Sequence, residues 1–168
     1  MFNNILHNFS CWADKRGYLG QCDTVKLPKL EYLKDDHIGG GMTGKQEIRF
    51  AAHDIIKVEA HFVSWEPNLI SLFTGNPMQE FEFQFRGAVT SEGTGSFVPA
   101  ICYVKGFAEI EPEEWKVAAK TGKTLPVTCS YLHLTHDNKS VLKLEPATAT
   151  WEVDGKSTLP GLKGSLGY

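Results

Sequence analysis

The most chemically suggestive residues of this chain are three consecutive glycines at positions 39–41, followed by Gly44 and Lys45. Their spacing, G-x-x-x-x-G-K, is that of a phosphate-binding loop, whose backbone amides and lysine hold a nucleotide. The next residue is Gln46, where such a loop needs the hydroxyl of Ser or Thr to bind magnesium. The motif also requires a helix after the loop, but the sequence there alternates like a strand. Nucleotide binding through Lys45 is therefore an alternative that lacks its expected context.

Histidines and carboxylates supply no second catalytic motif. The tightest histidine spacing, His133 and His136, falls on a predicted strand, where residues three apart face opposite sides. Glu113 and Glu114 are neighbours at a predicted helix start, where the helix dipole accounts for acidic residues. The sequence contains no G-x-S-x-G nucleophile elbow. We therefore expect no catalytic, metal or cofactor-binding residues, no bound cofactor, and a protein that is not an enzyme.

The composition indicates a soluble, globular chain. Its 168 residues suit a single domain, 1–168, with a core that needs no disulfides. No run of about 18 apolar residues is present, so we expect no membrane anchoring. The formal net charge of −3 argues against a basic surface for nucleic acid. Because the N-terminus has no export signal, the cysteines are expected to be reduced and mostly buried, with a Cys11–Cys22 disulfide as the alternative.

Strand patterns dominate the sequence. The cleanest is Phe81, Phe83 and Phe85, which alternate with Glu82 and Gln84 and predict one buried and one solvated face. Alternation and turn residues predict further strands at Asn8–Trp12, Leu19–Leu30, Gln46–Phe62, Phe97–Ile110, Val127–His136 and Val141–Val153. The last two flank a short polar turn, which indicates a hairpin.

Two short helices are predicted. Pro67–Phe73 begins with proline and is soon followed by Gly75, whereas Pro112–Ala119 has proline and acidic residues at its start. The glycine-rich C-terminus, residues 159–168, is expected to be a flexible arm. The fold class is therefore mainly β: an antiparallel β-barrel or sandwich with one or two short helices.

The segment from Leu27 to Gly44 carries a Leu-Pro-Lys-Leu strand, a polar stretch and a Gly-Gly-Met turn. It resembles the major tail tube protein of contractile-tailed bacteriophages and the related R-type pyocins, where these elements occur at about the same spacing. Further similarities follow in chain order: Asn8-Phe9 with Asp14, Gly106 to Pro112 followed by Trp115, the run Ser130-Tyr131-Leu132-His133-Leu134, and the ending Leu166-Gly167. The resemblance covers nearly the whole chain and is sharpest in the first block.

The resemblance implies a structural protein of a contractile tail, with the architecture of tail tubes and type VI secretion tubes. Six copies would form a ring, and stacked rings would form the inner tube that the sheath drives through the target envelope. The implied partners are other copies of the chain, the tail sheath protein, baseplate or initiator proteins, a tail terminator and, in a true phage, DNA in the lumen. The implied location is the virion tail, assembled in the bacterial cytoplasm. An acidic or neutral lumen would let DNA slide.

The glycine-rich segment, about residues 34–46, is expected to be a stacking loop that an adjacent ring orders, because such backbone is costly to order alone. Its two aspartates are expected to meet basic residues of a neighbour, with Lys15, Arg16 or Lys163 as candidates. The predicted inter-subunit residues are Leu27, Pro28, Lys29, Leu30, Asp35, Asp36, Gly39, Gly40, Gly41, Met42 and Gly44. Two other functions stay open: the tube of a type VI secretion or other contractile injection system, and a small-ligand-binding β-barrel with this segment as its lid.

Overall fold

The computed structural model describes residues 4–71, 76–91, 93 and 95–168. Within these ranges the strands are β1 (Leu6–Ala13), β2 (Arg16–Gly17), β3 (Cys22–Lys26), β4 (Tyr32–His37), β5 (Gln46–His53), β6 (Lys57–Phe62), β7 (Phe81–Thr90), β8 (Phe97–Ala108), β9 (Glu111–Pro112), β10 (Lys123–His136), β11 (Lys139–Glu145), β12 (Thr150–Val153) and β13 (Lys156–Ser157). The helices are α1 (Pro67–Ser71) and α2 (Leu162–Leu166), with a 3-10 turn at Pro146–Thr148. The predicted class, mainly β with short helices, is confirmed.

One long strand organises the sheets. β10 has 14 residues; its first half pairs with β6 and its second half with β11, while β8 pairs along much of its other edge. The main sheet runs in the order β13-β12-β11-β10-β8-β7-β1-β2, and β3 joins it through β6. A register shift between Cys129 and Tyr131 lies where β10 passes from one layer to the other, as expected of a bulge that bends a strand.

The core lies between the inner face of the main sheet and the layer made by β3 and β6. From β7 come the predicted phenylalanines; Phe83 is 1% exposed. The facing strand β6 contributes Val58, Ala60 and Phe62, all fully buried. Each large apolar side chain buried in this way stabilises the fold by roughly 1.5–3 kcal/mol. The one-sided burial predicted for β7 is thereby confirmed.

The stretch predicted as one strand from Gln46 to Phe62 is two strands in two different sheets. Between β5 and β6, the amide of Asp54 donates to the carbonyl of Glu31 (2.9 Å), and the Asp54 Oδ1 accepts the amide of Ile55 (2.7 Å). These bonds turn the chain from one sheet into the other. Alternation has a period of two in both sheets, so the sequence pattern continues across a turn that it does not reveal.

The strand predicted at Leu19–Leu30 is also shorter than expected. β3 ends at Lys26, and the Leu-Pro-Lys-Leu stretch that follows has no strand partner in the described chain. Pro28 lacks an amide N–H and cannot donate to a sheet ladder, which is one physical reason for the strand to end before it. The prediction that Leu27 to Leu30 form a strand is therefore wrong.

The helix predicted at Pro112–Ala119 is absent from this described segment. Pro112 belongs to β9, which pairs with the first two residues of β10, and Ala118 has a left-handed φ of 59° that a helix interior does not allow. The carboxylate of Glu113, at the predicted helix start, instead contacts the ring of His61 and the amide of Gly122. The other predicted helix, Pro67–Phe73, is confirmed as α1 for Pro67–Ser71, whereas its last two residues lie outside the described part.

The C-terminal stretch contains α2, which glycines with positive φ flank at both ends, Gly161 at 88° and Gly167 at 86°. The Nζ of Lys163 donates to the Oγ1 of Thr150 (2.9 Å), so this helix is tied to β12. The flexible arm expected here thus includes an ordered turn of helix held against the main sheet. A role for it in contacting other copies stays a prediction.

Candidate functional site

The glycine-rich segment forms the tip of a hairpin. β4 and β5 pair only with each other in the described chain and make a separate two-stranded sheet. At the tip the amide of Met42 donates to the carbonyl of Gly39 (3.1 Å), which closes a turn over Gly40 and Gly41. Gly41 has a φ of 84°, the value that the third position of a type II turn requires and that glycine adopts without strain. The predicted stacking loop, about residues 34–46, therefore includes the end of β4 and the first residue of β5, and residues 38–45 connect the two strands with the glycine turn at the tip.

One face of the hairpin is apolar and exposed. In the register Asp35 lies opposite Ile48 and His37 opposite Gln46, so this face is polar near the tip. Strand alternation places Leu33 and Phe50 on the same face toward the base, where the register shifts. The exposed fractions are 44% for Leu33, 43% for Ile48 and 50% for Phe50. A lone two-stranded hairpin is marginally stable in water, so this apolar face would be stabilised if another surface covered it.

The opposite face of the hairpin is charged. Lys34 lies across from Arg49, and Asp36 lies across from Glu47. Glu47 binds both cations, with 2.7 Å from its Oε1 to the Nε of Arg49 and 3.6 Å from its Oε2 to the Nζ of Lys34. The hydrogen bond from Arg49 lowers the pKa of the Glu47 carboxyl. The two faces of the hairpin thus differ sharply in the partner surface that they can accept.

The neighbouring aspartates at the hairpin lie on different faces. Asp36 is on the charged face, with its Oδ2 3.9 Å from the Nζ of Lys45, whereas Asp35 is on the apolar face and accepts the amide of Asp36 on its Oδ1 (2.9 Å). A single flat surface of a neighbour can therefore meet one of them but not both. The contact between these aspartates and a basic residue of a neighbour stays a prediction, and each face of the hairpin offers one aspartate for it.

The three candidate basic residues lie away from the hairpin tip. Lys15 and Arg16 sit at the turn between β1 and β2, where Lys15 has a φ of 66° and the guanidinium of Arg16 lies 5.9 Å from the centre of a tyrosine ring. Lys163 is on α2 and donates to β12. A contact with the tip would therefore have to come from another copy of the chain.

A tryptophan anchors the base of the hairpin to the main sheet. The ring of Trp151 on β12 stacks on Tyr32 (5.1 Å between centroids, 29° between planes) and meets His53 edge-on (5.5 Å, 77°). Aromatic pairs of this geometry add about 0.5–1.5 kcal/mol to the burial of their area. The hairpin is thus held at its base and uncovered along its length. Sequence reasoning missed this role, because the three rings are far apart in the chain.

The Leu-Pro-Lys-Leu stretch lies at the foot of the hairpin. Leu27 is 52% exposed and lines an apolar groove of about 200 Å³ together with Leu6, Phe9 and Phe85 of the main sheet. Small-molecule pockets usually occupy about 300–1,000 Å³, so the groove is small for a ligand cavity. Lys29 forms an exposed ion pair with Glu31. The structure therefore places this stretch next to the hairpin, and its role between subunits stays a prediction.

The geometry contradicts a nucleotide site at Lys45. The glycines connect two strands of a hairpin, and β5 begins directly after Lys45. A phosphate-binding loop needs a helix N-terminus at this point, whose free amides and dipole hold the phosphates. Lys45 itself faces Asp36.

A histidine between two carboxylates was not anticipated from the sequence. His61 on β6 has its Nδ1 2.6 Å from the Oδ1 of Asp23 and its Nε2 2.6 Å from the Oε1 of Glu113. The second carboxylate oxygen of Glu113 accepts the amide of Gly122 (3.1 Å). The bonds to Asp23 and Glu113 raise the pKa of His61, and those from His61 lower the pKa of both carboxyls. These residues come from three separate parts of the chain, so no local motif could reveal them.

The described residues offer no arrangement of three or more His, Cys, Asp or Glu side chains suited to a metal ion. In the same residues no helix has the length and apolar character needed to cross a bilayer. All four cysteines are free thiols; Cys11, Cys102 and Cys129 are buried. Burial raises the pKa of Cys102 to about 12 and that of Cys129 to about 11, as expected of thiols that act as small apolar side chains.

Comparison with known proteins points to one family. Residues 3–167 match the model of the family described as phage tail tube protein FII. The chain is 24% identical over 153 residues to the tail tube protein of Escherichia phage P2, covering 89% of each chain. It is 26% identical over 156 residues to the major tail tube protein of Serratia phage KSP20, covering 92% of this chain and 90% of the other.

A solved structure shares the fold. It is a cryo-electron microscopy structure of an extracellular contractile injection system, the PVC sheath/tube terminator in the extended state. The TM-score is 0.55 with 6% sequence identity, and the match covers 80% of this chain and 98% of the other. At this identity the likeness shows the fold alone. Together with the family match over nearly the whole chain, these findings show that the chain belongs to the phage tail tube protein family and is a structural component of a contractile virion tail.

Proposed function

We propose that six copies of this chain form a ring and that stacked rings form the inner tube of the tail, a rigid conduit through which DNA passes. The observation that carries the proposal is the amphipathic hairpin of β4 and β5, whose apolar face lies uncovered beside the sandwich. Self-association is the simplest source of a cover for such a face, because every copy presents the same surfaces at high local concentration.

The hairpin would form the contact between stacked rings. Its apolar face, with Leu33, Ile48 and Phe50, would lie on an adjacent copy, and burial of apolar area contributes about 25 cal/mol per Å². The charged face would stay toward solvent or a polar rim, since burying its ions would cost more than it returns. The difference between the faces supports one orientation of the hairpin on its neighbour.

The contact within a ring would use a sheet edge. Among the described residues, β2 pairs with only the last two residues of β1, which leaves the outer edge of residues 6–10 open to another strand. Open edges favour pairing between chains. Joining the main sheets of six copies edge to edge would remove these edges and close one large barrel.

The outer face of the main sheet would line the lumen. Its side chains include Tyr103, Tyr131 and His133, which lie half-buried between oppositely charged cross-strand neighbours: Lys105 lies across from Glu82, and Lys143 across from Glu152. Such pairing leaves little net positive charge to hold phosphates. At −3 for each chain, a ring of six would carry about −18. We therefore expect an acidic or neutral wall along which DNA slides.

The other partners follow from a head-to-tail stack, whose two ends differ. One end would meet a baseplate or initiator protein and the other a tail terminator, while the sheath would surround the outside. The fold shared with a chain of the PVC sheath/tube terminator structure supports stacking of like folds at the end of a tube. The action is mechanical, with no catalytic step and no cofactor.

The test is negative-stain electron microscopy and sedimentation across a concentration series. We compare the natural chain with Ile48→Asp/Phe50→Asp on the apolar face and with Lys34→Ser/Arg49→Ser on the charged face. The natural chain and the charged-face variant are expected to form rings or hollow tubes, because their apolar faces are intact. The apolar-face variant should stay unassembled with an unchanged circular dichroism spectrum.

Tubes of normal appearance from the apolar-face variant would overturn the hairpin's role. A natural chain that stays monomeric at every concentration would require an initiator for stacking. Adding purified tail baseplates as seeds then decides the question, since failure to elongate from them would count against the tube.

A further inference from the structure

The side-chain cluster around His61 lies outside the hairpin and has no part in the proposed tube contacts. It joins three elements: β3 through Asp23, β6 through His61 itself, and the segment 113–122 through Glu113. This segment connects β9 to β10. Apart from the cluster, the segment is exposed from residue 113 to residue 120.

The contacts close the segment into a loop. The amide of Glu113 donates to the carbonyl of Gly122 (3.2 Å), and the amide of Gly122 donates to the Glu113 Oε2 (3.1 Å). The other carboxylate oxygen of Glu113 meets the Nε2 of His61. Glu113 therefore ties both ends of the loop to each other and to β6. A side chain at position 122 would come within 2.3 Å of a backbone oxygen of Phe62, so only glycine permits this approach.

The loop carries an exposed aromatic side chain in a defined place. Trp115 is 77% exposed, and its ring meets that of Trp65 edge-on at 5.4 Å. Trp65 in turn lies 5.6 Å from the Nζ of the fully buried Lys123, which donates to the carbonyl of Glu66 (2.8 Å). The tryptophan pair is therefore supported from the core side, while Glu113 and His61 hold the loop that presents it.

The geometry points to a pH-dependent latch in which the imidazolium of His61 bridges Asp23 and Glu113 and fixes the segment 113–122, with Trp115 on it, against the sandwich. Both ring nitrogens are at hydrogen-bond distance from a carboxylate oxygen. Since a carboxylate only accepts, both nitrogens must donate, and only the doubly protonated ring can do so. A neutral ring keeps one of the two bonds.

The latch works in a window of pH. The pKa of His61 is raised by its bonds to Asp23 and then to Glu113, so the bridge is complete below the ordinary value of about 6.5 and is lost as pH rises through the raised pKa. The pKa of each carboxyl is lowered by His61, so the bridge also weakens as pH falls through those lowered values. The charge of His61 also lowers the pKa of Cys22, on β3.

Hydrogen exchange followed by mass spectrometry tests the latch, on the chain as purified and with labelling times scaled for the intrinsic effect of pH. In peptides that cover the two ends of the loop, the hydrogen-bonded amides of Glu113 and Gly122 should be protected at pH 6. They should exchange roughly tenfold faster at pH 9, after scaling, as loss of a charge-assisted hydrogen bond predicts. The β7 peptide, residues 81–90, should keep its protection at both values. A loop whose scaled exchange is the same at the two pH values would overturn the proposal.

Variants separate the latch from a general loss of structure. His61→Gln should speed hydrogen exchange of the loop already at pH 6 and remove its pH dependence. The glutamine side chain is neutral, so it cannot form charge-assisted hydrogen bonds to both carboxylates. Glu113→Gln keeps an acceptor for the amide of Gly122 but should also flatten the pH dependence. His136→Gln, at a histidine of the β10–β11 turn, is the matched control and should behave like the natural chain. If His61→Gln matches the control at the loop, the latch does not exist.

Discussion

The sandwich and the hairpin are built from the same kind of amphipathic strand and yet end in opposite states. In β7, alternate phenylalanines are buried, with Phe83 at 1% exposure, whereas in β5 the alternate residues Ile48 and Phe50 are 43% and 50% exposed. The sandwich finds its cover within one chain, because β10 bends and brings a second layer over the first. The hairpin has no second layer in the described chain. Strand patterning therefore predicts that a face will be covered, but not whether the cover belongs to the same molecule.

The largest expected effect separates the two regions through equivalent phenylalanines. Phe83→Ala should lower the free energy of unfolding by about 3–5 kcal/mol, because it leaves a cavity in a close-packed core. Phe50→Ala should leave that free energy nearly unchanged while it weakens assembly. Urea unfolding at a concentration below assembly measures the first quantity, and sedimentation measures the second. Similar losses of unfolding free energy from both substitutions would mean that Phe50, like Phe83, is covered within its own chain.

A second comparison uses glycines. A Cβ added at Gly106 would lie 2.0 Å from the backbone oxygen of Thr128 and 2.9 Å from the Cα of Cys129, where the two strands approach closely at the bulge of β10. Gly106→Ala should cost about 1–3 kcal/mol, since the backbone must move. Thermal unfolding gives the value. An unchanged thermal unfolding midpoint would mean that β8 and β10 can move apart at the bulge without a loss of stability.

At the tip of the hairpin, a glycine substitution should weaken assembly rather than lower the stability of the sandwich. Gly41→Val would place a β-branched residue at a φ of 84°, at a cost of about 1–2 kcal/mol to the local turn. The unfolding midpoint of the sandwich should stay the same, and the concentration needed for tubes should rise roughly tenfold.

Gly40→Val is the matched comparison for Gly41→Val, because a Cβ at position 40 would meet no atom within 4 Å. The fold should be intact, and we expect stacking to be blocked because the added side chain stands where a neighbour would lie. Normal tubes from Gly40→Val would show that the tip makes no close contact.

The smallest effect is expected on the charged face. Asp36→Asn removes an exposed ion pair with Lys45 whose atoms are 3.9 Å apart, and such pairs add little to stability. The unfolding midpoint should not change measurably, and the salt dependence of assembly should change only slightly. A strong loss of tubes would place the charged face, rather than the apolar one, at the contact.

Sequence reasoning predicted the class of fold and most of the strands, because alternation reports directly which face is buried. It failed where long-range contacts override the local signal. Glu113 looked like the acidic start of a helix, but its carboxylate binds His61, 52 residues away along the chain. Leu27 to Leu30 looked like the end of a strand because two leucines flank Pro28 and Lys29, but β3 ends at Lys26. The second strand of the hairpin was predicted as part of Gln46–Phe62, but β4 was assigned to a loop, because its polar residues run directly into the three glycines.

Some properties of this protein follow from sequence alone. Short stretches of sequence are enough to recognise the alternation of β7, the turn glycines and the motifs shared with tail tube proteins. Each of these features depends on residues that are close together in the chain and on their local backbone preferences. The anchoring of the hairpin by Trp151, the sharing of His61 between two carboxylates and the exposure of one apolar face are different. They arise only when β10 brings distant strands together, because each depends on which surfaces remain after the sandwich has closed.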